Sequence, residues 1–102
     1  MKQIINGKKY NTETAKEVGR WSNNCSYRDF NYCEETLYRK KTGEYFLYGM
    51  GGAMSKYSQS CGQNTWSSGE EINPMTESEA RDWAEKYLTA DEYEEIFGEV
   101  EE

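Results

Sequence analysis

Thr36-Leu37-Tyr38-Arg39-Lys40-Lys41-Thr42-Gly43-Glu44-Tyr45-Phe46-Leu47-Tyr48-Gly49-Met50-Gly51-Gly52 decides how the chain is read. Two runs of β-branched and aromatic residues flank a turn that ends in glycine, which is the pattern of a β-hairpin. Lys41-Thr42-Gly43 fits a three-residue loop, with Gly43 as the left-handed residue of a G1 bulge. That register pairs Lys40 with Glu44, Tyr38 with Phe46 and Leu37 with Leu47. A two-residue loop would set Arg39 against Phe46 and Tyr38 against Leu47. The three-residue loop is preferred because it gives like-with-like apolar pairs and keeps an opposite-charge pair, each contributing roughly 0.2–1 kcal/mol.

Working outward, the N-terminal side carries a second hairpin signal. Lys2–Ile5 and Lys8–Tyr10 flank Asn6-Gly7, a two-residue turn. Asn11 or Thr12 is placed to cap a helical turn through Glu13–Val18, stopped by Gly19. Val18, Arg20 and Trp21-Ser22 alternate as a short strand. Residues 26–32 lack a clear period and read as a loop whose Tyr and Phe side chains pack the sheet edge. Cys33–Leu37 leads into the central hairpin.

On the C-terminal side, Gly49-Met50-Gly51-Gly52 follows a strand but lacks the spacing of a phosphate-binding loop. A turn that needs positive φ or close backbone approach is the expected role. Ser58–Gly69 reads as a polar surface loop held by Trp66, and Glu70–Pro74 as an edge strand that stops at the proline. Thr76-Glu77-Ser78-Glu79 is a capping box, with Met75 and Ala80 at the hydrophobic-staple positions. Ala80, Trp83, Ala84, Tyr87 and Leu88 then form one helical face. Thr89-Ala90-Asp91-Glu92 is a second capping box. The helix it opens has Ala90, Tyr93, Ile96 and Phe97 on its buried side and Gly98 at its end. Glu99–Glu102 is expected to fray. The fold expected for residues 1–102 is therefore one small α+β domain, an antiparallel sheet built around the central hairpin with two C-terminal helices packed on it.

Composition narrows the chemistry. Only 35% of the 102 residues are hydrophobic and mean hydropathy is −1.09, yet 15% are aromatic. Aromatics bury ~150–250 Å² each, so a small core remains within reach and disorder of the whole chain is not expected. No run approaches the ~20 apolar residues of a membrane span, and Met1-Lys2-Gln3-Ile4-Ile5 opens no signal peptide. A cytoplasmic setting is expected, in which Cys25, Cys33 and Cys61 are free thiols. There is no His and no CxxC, so Ser-His-Asp and Cys-His catalysis and the usual zinc sites have no ligands or bases to use. Asp91, Glu92, Glu94 and Glu95 crowd one helix and do not converge on a metal. No metal, cofactor or catalytic residue is assigned.

Charge is the most informative feature. Residues 1–69 carry ten Lys/Arg against six Asp/Glu, a balance of +4, and residues 70–102 carry two against thirteen, a balance of −11. The net −7 counts against direct nucleic-acid binding, although Lys8, Lys9, Lys16, Arg20, Arg28, Arg39, Lys40 and Lys41 lie among tyrosines. Acid in the first turn of a helix is offset by the dipole; the acid from Glu94 onward is not. Asp91, Glu92, Glu94 and Glu95 are thus the candidate partner-binding residues, presented to a basic surface; the plain alternative is a solvated helix end.

The whole chain resembles a set of small proteins from bacterial phages, plasmids and integrative elements. The resemblance is carried by four stretches: Tyr10-Asn11-Thr12-Glu13-Thr14-Ala15; Glu35 through Gly43; Tyr45-Phe46-Leu47-Tyr48-Gly49 with Gly51-Gly52; and Ala90 through Glu99. That group contains anti-CRISPR proteins that inhibit type II-A Cas9. The resemblance implies a non-catalytic inhibitor in the bacterial cytoplasm whose partner is Cas9 or its guide-RNA complex. The alternative is a nucleic-acid-binding accessory protein of a phage or plasmid.

Overall fold

The computed structural model describes residues 1–26, 28–62 and 65–102. The fold is α+β. Strands β1 (Lys2–Ile5) and β2 (Lys8–Asn11) form the first hairpin, followed by β3 (Lys16–Ser22), β4 (Cys33–Arg39) and β5 (Tyr45–Gly51). A small hairpin of β6 (Gln59–Gly62) and β7 (Thr65–Ser67) precedes β8 (Gly69–Met75), α1 (Glu77–Tyr87) and α2 (Ala90–Phe97). The main sheet is antiparallel throughout, in the order β3-β4-β5-β8.

The central hairpin adopts the three-residue loop. Leu37 faces Leu47 and Tyr38 faces Phe46. Lys40 N–H donates to the Glu44 carbonyl at 2.8 Å, and Gly43 N–H to the Lys40 carbonyl at 2.9 Å. Gly43 has φ +94°, a backbone state that a side chain would oppose. The first hairpin also turns as expected, with Asn6 and Gly7 both at positive φ.

Between these hairpins the expected helical turn is absent. Asn11 Oδ1 accepts the Glu13 N–H at 2.9 Å, but that cap closes a turn rather than opening a helix. The chain from Lys16 instead pairs with β4, from Lys16 opposite Arg39 to Ser22 opposite Glu34, with a bulge at Val18. A helical turn of six residues would have carried the cost of nucleation for few bonds, whereas the open edge of β4 supplies a ladder. Gly19 is therefore a strand residue and not a helix stop. A Cβ there would lie 2.7 Å from a Leu88 methyl, so its smallness lets the end of α1 approach the sheet.

Period-two alternation splits the core. One face of the sheet contributes Leu37, Tyr45 and Leu47, which pack with Ala80, Trp83 and Ala84 of α1. Val18, Trp21, Tyr87, Leu88, Tyr93, Ile96 and Phe97 ring this cluster. The opposite face contributes Phe46 and Ile72, covered by Tyr10 of the first hairpin. The Tyr10 ring meets Phe46 edge-on at 5.5 Å, and Tyr38 stacks on Phe46 at 5.2 Å. β4 and β5 are thus covered on both sides.

Both capping boxes form: Thr76 with Glu79, and Thr89 with Glu92. Gly98 ends α2 at φ +94°. Ala90 is exposed rather than buried; Tyr93, Ile96 and Phe97 make the contact of α2 with the core. Residues 99–102 have no regular structure and are exposed. Trp66 does not hold the 58–69 segment. It is 58% exposed on β7, which pairs with β6. Gln63 and Asn64 of the expected loop lie outside the described residues, as does Tyr27 of the earlier one. In that earlier loop Tyr32 is buried, but Phe30 is 66% exposed and does not pack the sheet edge. β8 is an edge strand that tolerates Pro74 and runs one residue beyond it.

Trp83 is buried at the centre of the helix–sheet contact. Trp83→Ala is expected to destabilise the fold by about 3–5 kcal/mol, a drop in Tm of more than about 10 °C in a chain of this size. An unchanged calorimetric Tm would refute the packing.

Candidate functional site

Two groups of polar side chains stand out, one on the surface and one buried. The surface group is the acidic side of the C-terminal helices. Thr89 Oγ1 accepts the Glu92 N–H at 3.2 Å, and Thr89 N–H donates to Glu92 Oε1 at 2.9 Å. Glu94 Oε2 accepts the Val100 N–H at 3.2 Å. Two of the four sequence-predicted carboxylates are therefore engaged at the ends of α2. Asp91 and Glu95, one helical turn apart, are exposed and have no hydrogen bond or ion pair among the described residues. Asp82 and Glu85 of α1 are exposed too, whereas Glu77 is bridged to Arg81 at 3.3 Å. The four predicted residues thus share one helix, but only Asp91 and Glu95 present an uncommitted charge.

The buried group was missed by reasoning from sequence. β4 alternates Cys33, Glu35 and Leu37 onto the helix-covered face, so Glu35 enters the core, with only 1% of its surface exposed. Trp83 Nε1 donates to its Oε1 at 3.0 Å. Lys56 Nζ lies 2.7 Å from Oε2, and the Tyr57 hydroxyl donates to the same oxygen. Burial pushes the Glu35 pKa up, but the bonds from Lys56, Tyr57 and Trp83 outweigh it and hold the carboxyl below its ordinary value. The same burial and bond push the Tyr57 phenol well above its ordinary range, so it stays a donor.

This carboxylate explains the glycine-rich run. A Cβ on Gly49 would sit inside the Tyr57 ring, so only glycine lets that ring cross β5 to reach Glu35. The run is a site of close backbone approach, but not the turn that was expected: Gly49 and Gly51 lie within β5 and neither has positive φ. The signal was present in the sequence: Glu35 has the same parity as Leu37 in a strand whose face is buried.

The thiols differ in setting. Cys33 is buried on the same face as Glu35, and burial with that neighbouring charge pushes its pKa up, away from the thiolate form. Cys25 is half-buried and Cys61 exposed. Among the described residues no group of three His, Cys, Asp or Glu side chains is arranged to hold a metal ion, and no helix is long and apolar enough to cross a membrane. No protein-family model, curated protein or solved structure matches the chain.

Two expectations follow. Glu35→Gln places amide hydrogens against Lys56 and Tyr57 and should cost about 2 kcal/mol. Because the folded pKa of Glu35 is lowered, its stabilisation is present above the unfolded Glu value near ~4.3 and is lost as pH falls through the folded value. Urea melts of the wild type should weaken across that acid window, and Glu35→Gln should flatten this limb. An identical acid limb in both would show that Glu35 contributes no linkage. In native protein, alkylation should modify Cys61 first and Cys25 more slowly, with Cys33 reached only in denaturant, where all three react. Mass spectrometry with time reads the order.

Proposed function

We propose that this protein inhibits a type II-A CRISPR Cas9 effector by direct binding, without catalysis, setting the acidic side of α2 against a basic nucleic-acid-binding surface of Cas9. The observation that supports it most is the pair Asp91 and Glu95. Both are exposed and unpaired among the described residues, on a helix that is capped at Thr89 and packed on the core through Tyr93, Ile96 and Phe97. Like charges at i,i+4 disfavour a helix slightly, so the arrangement lowers stability while presenting charge at a defined place. The resemblance of the sequence to a group containing Cas9 inhibitors names the partner. Cas9 reads its PAM through Arg side chains and holds nucleic acid in positively charged channels, to which carboxylates are complementary.

Exposed ion pairs contribute about 0–1 kcal/mol singly, so the reading requires several acting together. Glu92 and Glu94 belong to the predicted surface, but replacing them also removes the cap and the tail contact. The cleaner test is Asp91→Lys with Glu95→Lys. This double variant should weaken inhibition of Cas9 DNA cleavage well beyond Glu13→Lys with Glu71→Lys, two exposed carboxylates away from α2, with circular dichroism confirming that both are folded. Wild-type inhibition should also fall as salt rises, since surface charges are screened beyond about 8 Å at physiological ionic strength. Full inhibition by the Asp91/Glu95 variant would place the contact elsewhere, and no binding to Cas9 at any salt would end the reading.

A further inference from the structure

The acidic helices draw attention from a second charged surface of opposite sign. Where the β4–β5 turn passes the turn between β2 and β3, two adjoining concavities of about 370 and 150 Å³ share Thr14, Ala15, Lys40 and Lys41 as walls. Lys16 and Arg39 complete the larger and Lys9 the smaller. Among the described residues five cations line this groove and no carboxylate does. Among the described residues Lys9, Lys16, Arg39 and Lys41 form no ion pair; only Lys40 has one, 3.8 Å from Glu44, which also bridges Lys8 at 3.4 Å.

The groove is built by the fold. Lys9 comes from β2, Lys16 from the start of β3 and Arg39 from the end of β4. Lys40 is largely buried, with its ammonium 4.2 Å above the Tyr10 ring, and Arg39 lies over Tyr45 at 5.7 Å. Holding like charges this close is unfavourable in the free protein, and an anion relieves it. A furrow walled by spaced cations and the hydroxyl-bearing Thr14 and Thr42 suits a run of phosphates along a strand.

We propose that this groove binds the phosphate backbone of a single-stranded nucleic acid. The net charge of −7 argued against such binding only as a whole-chain average. The acid is concentrated after residue 70, while these five cations come together before it. Cas9 plays no part in this inference, which stands or falls with the isolated protein.

The test is fluorescence anisotropy with the full chain and a labelled single-stranded oligonucleotide, as RNA and as DNA, across a salt series. Saturable binding at low salt is expected, with an affinity that falls linearly in log–log form as salt rises. Lys9→Gln with Lys16→Gln and Lys41→Gln should weaken it at least tenfold and make the slope shallower by about 2, near 0.7 for each cation removed. The corresponding triple change to Arg should bind like the wild type, as should Lys86→Gln on α1. No saturable binding of either oligonucleotide at low salt overturns the proposal. So does a Gln triple variant that binds like wild type, or a Lys86→Gln loss as large as that of the triple variant. Displacement by inorganic phosphate at constant ionic strength would mean a small-anion site and overturn the strand reading.

Discussion

A carboxylate with almost no solvent contact must be bonded on both oxygens or lose its charge. Glu35 is bonded on both, and its three donors come from two distant parts of the chain. Trp83 brings in α1, while Lys56 and Tyr57 bring in the loop that leaves β5. The bond from Trp83 spans 48 residues, so it exists only once the helix has docked on the sheet. Its geometry also explains Gly49, since no side chain at that position leaves room for Tyr57. Replacing a buried ionic group by an apolar one is often tolerated, whereas removing one partner is not. The interaction therefore constrains where α1 and the loop sit more than it adds to overall stability.

Around this hub, double-sided burial shapes the domain. β4 and β5 carry apolar residues on both faces, and each face needs its own cover. The helices cover one face and the first hairpin the other. A chain that is only 35% hydrophobic manages two small cores because tyrosines supply the area while their hydroxyls reach polar partners, as Tyr48 does with Glu70 and Tyr57 with Glu35. This economy leaves charged groups free to specialise at the surface.

The two charged surfaces lie side by side. Lys16 and Arg39 share a cleft of about 220 Å³ with Glu17, Glu95 and Ile96, and among the described residues no ion pair joins either cation to these carboxylates. The basic groove and the acidic side of α2 are therefore neighbours within one molecule, and a partner carrying both signs, such as a protein with bound nucleic acid, would meet both. Net charge is a poor guide to such a surface, because the field at a contact is set by groups within about a Debye length.

Local chemistry made much of this fold readable before any packing was known. The two capping boxes depend on residues three apart, the Asn6-Gly7 turn on two adjacent residues, and the β4–β5 register on a three-residue loop and its flanking pairs. Each is decided within one element, and each formed as expected. The four acidic residues of α2 were likewise legible as a charged helix. What the sequence did not decide were choices between competing partners. Asn11 can cap a helix or close a turn, and the free edge of β4 decided for the turn. Trp66 and Ala90 are residue types that can pack in a core, but both are left exposed. Glu35 reads as an ordinary strand carboxylate until Trp83, Lys56 and Tyr57 arrive from distant positions, and Lys9, Lys16 and Arg39 are scattered charges until three strands bring them to one groove. By itself the sequence determined the elements, because capping, turn geometry and alternation act over a few residues. Only the tertiary structure decided which polar groups meet, because burial and charge proximity depend on contacts between residues far apart in the chain.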